Sequence, residues 1–333
     1  MSGRRRVGVV IPSWNSVELL PRCLGSLRDQ GVEVETIVVD NGSGDGSREY
    51  LEREAVPHLS LPRNVGFAAA VNLGVARISA PAVLVLNADT VLEPGAVRAL
   101  IGALEADDSL AGVQPRILQL EEGRERDIAT ALLYSAGQGL SRDGRAFEDG
   151  AGEGQRRRTG GAKEIFGVCG AACLLRRELF EELGGYDERY FAFYEDVDLN
   201  VRARIAGWRF AYIPEAVVWH VGNASWMAEA PRPGAWNARL VARNRVATQI
   251  KFMPARALPL ILAAEAGSLL RALARRRLGA TLRGKLEGLR WLPALLRERR
   301  RLRQAGDLTA PREWLGRAPR EIPGPPRLVV EES

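Results

Sequence analysis

One stretch constrains the fold of this chain more than any other: Val83-Leu84-Val85-Leu86, stopped abruptly by Asn87-Ala88-Asp89-Thr90. An unbroken apolar run of that length marks a strand buried on both faces of a parallel sheet, which needs helices over both faces. The chain before it supplies them. Val7–Ile11 and Val34–Val39 read as strands, and Leu59–Leu61 as a short third. Helical stretches lie between them at Ser16–Leu27, with Leu19, Leu20, Leu24 and Leu27 on one side, at Arg48–Glu54 behind a Ser47 cap, and at Ala68–Ile78. Strand and helix thus alternate three times before the fourth strand, the pattern of a doubly wound α/β fold with right-handed crossovers. At 333 residues the chain has room for one large domain of this kind and an appendage.

In open α/β sheets, ligands collect at the carboxyl ends of the strands. Here those ends carry Pro12, Ser13 and Asn15; Asp40 and Asn41; Arg63 and Asn64; and Asn87, Ala88 and Asp89. Carboxylates and amides suit a base and a ribose, and Arg63 suits a phosphate. Asp89 is a hard oxygen ligand suited to a divalent cation that neutralises a diphosphate, or, more plainly, a cap before the Glu93-Pro94-Gly95 turn. No G-x-G-x-x-G follows the first strand and no G-x-x-x-x-G-K-S/T occurs, which disfavours an ordinary dinucleotide fold and excludes a P-loop enzyme. Four loops converging on one sheet edge would hold a nucleotide by other means.

Further on, Pro94–Glu105 has helical spacing, and Gly112–Leu118 and Ile165–Leu175 read as strands. The Gly- and Arg-rich stretch from Gly137 to Gly161 reads as a long mobile loop. Glu195, Asp196 and Asp198 follow the aromatic residues Tyr190, Phe191, Phe193 and Tyr194 and open a helix that runs to about Ala206. Acids in a first turn complement the helix dipole, so a structural role is available to each. Three of them behind an aromatic cluster exceed what a cap requires and suit a carbohydrate-facing pocket. Trp208–Ile213 and Val217–His220 are further strands. A histidine after an apolar run is more often structural than functional, and nothing promotes the other histidine, His58.

Together, Val9-Val-Ile-Pro-Ser-Trp-Asn15, Val38-Val-Asp-Asn-Gly-Ser43, Arg63-Asn-Val-Gly-Phe67, Leu86-Asn-Ala-Asp-Thr90, Phe166 to Cys173, Tyr194-Glu-Asp-Val-Asp-Leu199 and Trp219-His220 resemble a family 2 glycosyltransferase of the GT-A fold. The resemblance is to the branch containing bacterial rhamnosyltransferases. Each stretch is weak alone; the ordered set, spanning residues 7 to about 250, is specific. The resemblance implies an α/β fold with a doubly wound mixed sheet. It also implies inverting transfer of a sugar, with rhamnose from dTDP-rhamnose as the first choice. The donor is a nucleotide-diphosphate sugar, and the acceptor is a hydroxyl of a lipid-linked or cell-surface glycan.

By the same resemblance Asp40 contacts the nucleoside, Asp89 and His220 hold a divalent cation (Mg²⁺ or Mn²⁺) on the diphosphate, and Asp196 is the catalytic base with Glu195 beside it. Pro12, Ser13, Asn15, Asn41, Arg63, Asn64, Gly66, Asn87 and Ala88 complete the donor site. One departure is that the D-x-D motif reads Asn87-Ala88-Asp89, keeping only its last carboxylate. The chemistry agrees: the donor carries its own leaving group, so one base, one metal and one in-line displacement suffice. Two readings of other classes stand beside this one. The first is a silent sugar-nucleotide-binding module, against which the intact Glu195-Asp196 and His220 argue. The second is a sugar nucleotidyltransferase, whose basic Gly-rich loop after the first strand is absent.

Residues 257–274 are strongly apolar but contain Pro259, Glu265 and Arg271 and are short for a membrane span. From Arg275 to Arg303 eleven Lys and Arg face two Glu, a net of +9, whereas the whole chain is only +6 and the remainder sums to −3. The pI of about 9.6 therefore reflects the tail, and the main domain is not expected to bind nucleic acid. An amphipathic element on an anionic membrane surface fits, with a core-packing helix pair as the alternative. The expected division is a glycosyltransferase domain at 1–250, a basic helical extension at 251–303 and a loosely ordered tail at 304–333. The three cysteines, Cys23, Cys169 and Cys173, are too few and too odd in number for a disulfide framework, and Cys169 and Cys173 read as buried free thiols. With no apolar signal region at the start, a cytoplasmic protein peripheral at the inner face of the cell membrane is expected.

Overall fold

The computed structural model describes residues 6–121, 126–154, 161–221, 233–306, 314–316 and 320–321, so most of the expected tail at 304–333 lies outside the described residues. Strands β1 (Arg6–Ser13), β2 (Glu33–Asp40), β3 (His58–Ser60) and β4 (Ala82–Leu86) run parallel in the order β3-β2-β1-β4. They are joined by helices α1 (Leu20–Gly25), α2 (Ser47–Arg53) and α3 (Phe67–Val75). All five residues of β4 are buried, as an unbroken apolar run demands. Their alternation feeds both faces: Val83 and Val85 join one core with Val71 and Val75, while Leu84 and Leu86 join the other with Leu20 and Leu100.

The second half makes the sheet mixed. After β5 (Thr90–Leu92) and α4 (Ala96–Ala106) come β6 (Leu110–Gln119), β7 (Leu133–Ser135), the hairpin of β8 (Gln138–Leu140) and β9 (Ala146–Glu148), and β10 (Lys163–Ile165). They are followed by β11 (Ala172–Arg176), α5 (Arg177–Glu182), α6 (Glu195–Ile205) and β12 (Arg209–His220). β11 pairs antiparallel with both β4 and β6, and β12 lies parallel to β6, completing an eleven-stranded sheet with a two-residue edge strand, β13 (Arg320–Glu321).

Four expectations about elements change. The helix expected over Ser16–Leu27 shrinks to α1; turns precede it, with Leu19 N and Leu20 N both on Ser16 O, and the amides of Ser16 and Val17 bind Ser47 Oγ and Asp45 Oδ2. Ser47 is therefore not a helix cap; that position is Gly46. The strand expected over Ile165–Leu175 is broken, since the Val168 and Cys169 amides are taken by the side chains of Asn200 and Gln114. The long mobile loop is in part the β8–β9 hairpin, with Gln138 and Leu140 buried; residues 155–160 lie outside the described residues.

Among the described residues four α-helices follow: α7 (Pro233–Phe252), α8 (Leu258–Ala274), α9 (Leu278–Arg290) and α10 (Leu292–Ala305). α9 packs on α7 through Thr281, Gly284 and Gly288, and any side chain at Gly284 would collide with the Arg239 carbonyl.

Candidate active site

The ends of β1, β4 and β12 and the start of β5 meet at one edge of the sheet. Antiparallel pairing sets Thr90 opposite His220 and so carries the neighbouring Asp89 onto the imidazole. Asp89 Oδ1 lies 3.1 Å from His220 Nε2, and Asn87 Nδ2 lies 3.3 Å from the same nitrogen. Tyr134 packs edge-to-face on His220, with ring centroids 4.4 Å apart. Asp89 and His220 are buried, yet Asn87 Oδ1 and His220 Nδ1 meet no hydrogen-bond partner. A carboxylate oxygen, an imidazole nitrogen and an unpartnered amide oxygen form a donor set that a divalent cation accepts. Among the described residues no three His, Cys, Asp or Glu side chains converge on one point, so the protein would supply only part of a coordination shell. Phosphate oxygens and water commonly supply the rest around Mg²⁺.

The facing wall is the head of α6. Phe191, Phe193 and Tyr194 all have positive φ (64°, 68° and 71°), a conformation that costs on the order of 1–3 kcal/mol per residue. Asn244 of α7 holds this turn: its Nδ2 lies 2.9, 2.8 and 2.7 Å from the carbonyl oxygens of Tyr190, Ala192 and Phe193. Glu195 and Asp196 are thereby turned toward a cavity of about 350 Å³.

Besides Asp89, three carboxyls line that cavity, and their surroundings separate them. Asp196 accepts from Gln138 Nε2 (2.8 Å) and Gly170 N (2.9 Å) on Oδ2 and from Val197 N (2.7 Å) on Oδ1. Burial raises its pKa, and these three donors oppose the rise. Glu195 is buried with Oε2 unpartnered, and burial together with the Asp196 charge pushes its pKa well up. Glu148 is raised to about 7 by burial and by Asp196, against hydrogen bonds from Ser135 and Gln138. Asp196 therefore holds the negative charge of the group. Asp198, two residues on, turns away to Lys251 Nζ (2.6 Å) and Arg202 Nε (2.7 Å). Burial opposes its charge, but the two cations outweigh it and hold its pKa below the usual range.

Of the donor residues read from the sequence, Pro12, Ser13, Asn41, Asn87 and Ala88 line the cavity, together with Asp89, His220, Glu195 and Asp196. The others stand behind this wall. Asn15 donates its amide to Ser43 Oγ (2.9 Å) and accepts from Gly44 N (2.8 Å). Asp40, buried at the end of β2, accepts from Ser43 N (3.2 Å). Asn64 accepts from Asn41 Nδ2 (3.0 Å) and Gly66 N (2.9 Å). Gly66 has φ 98°, and a side chain there would strike Phe191. Arg63 is exposed and does not line the cavity. Sequence reasoning did not single out Tyr134, Gln138, Glu148 or Gly170; Gln138 and Glu148 showed only as polar residues in a glycine-rich stretch, and Gly170 only as part of the Phe166–Cys173 stretch.

The sequence profile described as glycosyl transferase family 2 matches residues 8–184, a little over half of the chain. The chain belongs to this family. An N-acetylglucosaminyl-diphospho-decaprenol L-rhamnosyltransferase from Mycobacterium tuberculosis is 30% identical over 211 residues, covering 56% of this chain and 66% of that protein. A pre-mycofactocin glycosyltransferase from the same organism is 31% identical over 249 residues, covering 72% of this chain and 48% of that protein. The chain thus spans just under two thirds of one relative and about half of the other. Among solved structures, GalNAc-T7 with UDP, GalNAc and Mn²⁺ superposes with a TM-score of 0.62 at 15% identity, over 80% of this chain and 52% of that one. A mannosyltransferase from Pyrobaculum calidifontis with GDP-Man and Mn²⁺ gives 0.51 at 18% identity, over 91% and 86%. At those identities the likeness is one of fold, the GT-A fold.

Proposed function

We propose that this family 2 member is an inverting, divalent-metal-dependent glycosyltransferase. It would move a sugar, rhamnose from dTDP-rhamnose as the best reading, onto a hydroxyl of a lipid-linked or cell-surface glycan. The observation that carries this reading is a well-hydrogen-bonded carboxylate, Asp196, lining the same cavity as the Asp89–His220 pair. Asp196 takes the proton of the acceptor hydroxyl, whose oxygen attacks the anomeric carbon as the bond to the diphosphate breaks. The bonding electron pair leaves on the phosphate oxygen, and attack from the opposite side inverts the centre. Glu195, kept neutral, offers Oε2 to an acceptor hydroxyl. Asp89 and His220 would hold a cation, which offsets charge on the departing diphosphate. The relative named for L-rhamnosyl transfer and a diphospho-decaprenol supports the donor sugar and a lipid-linked acceptor, and the Mn²⁺ with which both structural neighbours were solved supports the cation.

The same proposal places the C-terminal helices, within the 251–303 extension, on the anionic inner surface of the cell membrane, and the protein itself in the cytoplasm. Ten of the fourteen exposed large hydrophobic side chains among the described residues are leucines between Leu258 and Leu296, the last five of them interleaved with the basic run. The segment Ala255–Ala274 is long and apolar enough to cross a membrane by composition. Glu265 in its middle, however, binds Arg245 (2.6 Å) and Gln249 (3.0 Å) of α7 and pairs with Lys285 of α9. One face of α8 is thus tied to the protein, which leaves the other to lie in a lipid interface.

The test is transfer from dTDP-rhamnose, UDP-galactose, UDP-glucose or GDP-mannose to a prenyl-diphosphate-linked sugar with Mn²⁺ or Mg²⁺. One donor should give product with inverted anomeric configuration by NMR, and both chelator and Asp89→Ala should abolish it. Full activity in excess chelator would refute metal dependence. Donor binding with neither transfer nor hydrolysis would favour the silent module.

A further inference from the structure

Gln138 and Glu148 reach the cavity from the β8–β9 hairpin, and the hairpin is fastened at both ends. Gln138 N donates to Gly167 O (2.9 Å), and Ala146 N donates to Tyr194 Oη (3.2 Å). The amide of Gln138 has only one orientation. Val168 N donates to Asn200 Oδ1 (3.2 Å), and only the oxygen of that amide can accept. Asn200 Nδ2 therefore faces Val168 O (2.9 Å) and Gln138 Oε1 (2.8 Å). With its oxygen so engaged, Gln138 must present Nε2 to the two neighbouring carboxyls. It does so unequally, at 2.8 Å from Asp196 Oδ2 and 3.5 Å from Glu148 Oε1.

We propose that Gln138, oriented by Asn200, is a positioning residue that selects Asp196 rather than Glu148 as the ionised member of that pair. An N–H donor favours the charged form of a carboxyl, and a like charge alongside disfavours it. With Asp196 ionised, Glu148 keeps its proton up to about pH 7. The other titratable groups whose charge bears on Asp196 are Glu195 on its own helix, Cys169 just before β11 and Cys173 within it, Tyr134 from β7 and Tyr186 ahead of α6. Burial raises every one of them, so none of these supplies a competing charge at neutral pH; Asp89, on the facing wall, is the cavity's remaining carboxyl. The inference rests on Asp196 as the base only for its consequence in turnover; the ionisation order is measurable without a substrate.

The experiment is NMR titration of the full chain labelled with ¹³C at the Asp and Glu carboxyls, with signals assigned through Asp196→Asn and Glu148→Gln. In the wild-type protein Asp196 should titrate below Glu148. In Gln138→Met the Asp196 titration should rise by about one pH unit, the scale of one hydrogen bond to a charged group, and the acid limb of kcat should follow it. In Asp196→Asn the Glu148 titration should fall. Glu148 ionising before Asp196 in the wild-type protein, or an Asp196 titration unmoved in Gln138→Met, would overturn the inference. The wild-type ordering decides the matter alone if Gln138→Met does not fold. Normal turnover by Asp196→Asn would overturn the base assignment and leave the ionisation order untouched.

Discussion

The two walls of the cavity are held by different physics. The wall at the ends of β1, β2 and β4 is braced by neutral amides over short distances. Asn41 alone binds Asn64 Oδ1 (3.0 Å), Gly66 O (3.2 Å) and Val65 N (2.8 Å). The wall at the head of α6 is a strained turn held from α7 by Asn244, and it stands on buried charge. Lys251 of α7 meets Asp198 (2.6 Å), Glu298 of α10 (3.1 Å) and Asp187 (3.5 Å). The amide network of the first wall closes between Asn41 and Gly66, and His220 joins that wall from far along the chain. The second depends on helices 40 to 100 residues further along the chain, so the C-terminal helices support the site as well as carrying the leucine surface.

That contrast can be broken in three places. The largest effect should come from Asp198→Asn, which removes the one fully buried carboxylate of the network and leaves Arg202 without its ion pair and Lys251 with only Glu298 and Asp187. Breaking a buried pair from one side costs about 3–5 kcal/mol, readable by denaturant unfolding at neutral pH. Because the pKa of Asp198 is lowered in the folded state, its stabilisation is complete above the ordinary carboxylate range and fades as the pH falls through the lowered value. The deficit of the variant should therefore shrink in acid. A deficit that stayed constant down to low pH would deny the charge network its role.

Next is Asp196→Asn, which keeps the shape and removes the basicity. Turnover should fall by about 100-fold or more while donor affinity, measured by calorimetry, changes little. Tighter or weaker donor binding in step with the lost turnover would show that the two walls are not separable. The smallest effect is expected from Asn41→Ala on the opposite wall. Three neutral hydrogen bonds at about 0.5–1.5 kcal/mol each are lost, some replaced by water, so stability should drop by about 1–2 kcal/mol. The donor KM should rise with kcat nearly held, and the reverse pattern would place Asn41 in the chemistry.

The same contrast accounts for what was legible. Asn87, Asp89, Ser13 and Asn41 follow buried strands directly, and a buried strand announces itself over five residues, so its polar terminus can be read as a site. Glu195 and Asp196 were legible as acids opening a helix, but which of the three acids faces the cavity was not readable from spacing without the family resemblance. The structure turns Asp198 to Lys251, 53 residues away. Arg63, whose charge suited a phosphate, lies exposed outside the cavity, because the loop that carries it is held inward by Asn64 and Gly66 instead.

The sequence by itself determined the parallel core and the edge at which polar residues gather, since strand burial depends on a few consecutive side chains and crossovers leave little freedom of hand. It also determined that the C-terminal helices would be basic and leucine-rich. Only the tertiary structure decided the second wall. Gln138 is one polar residue in a glycine-rich stretch until Asn200, 62 positions away, takes its oxygen and leaves its N–H for Asp196. A buried amide has no preferred direction of its own; its partners set it, and the sheet chooses those partners when it folds.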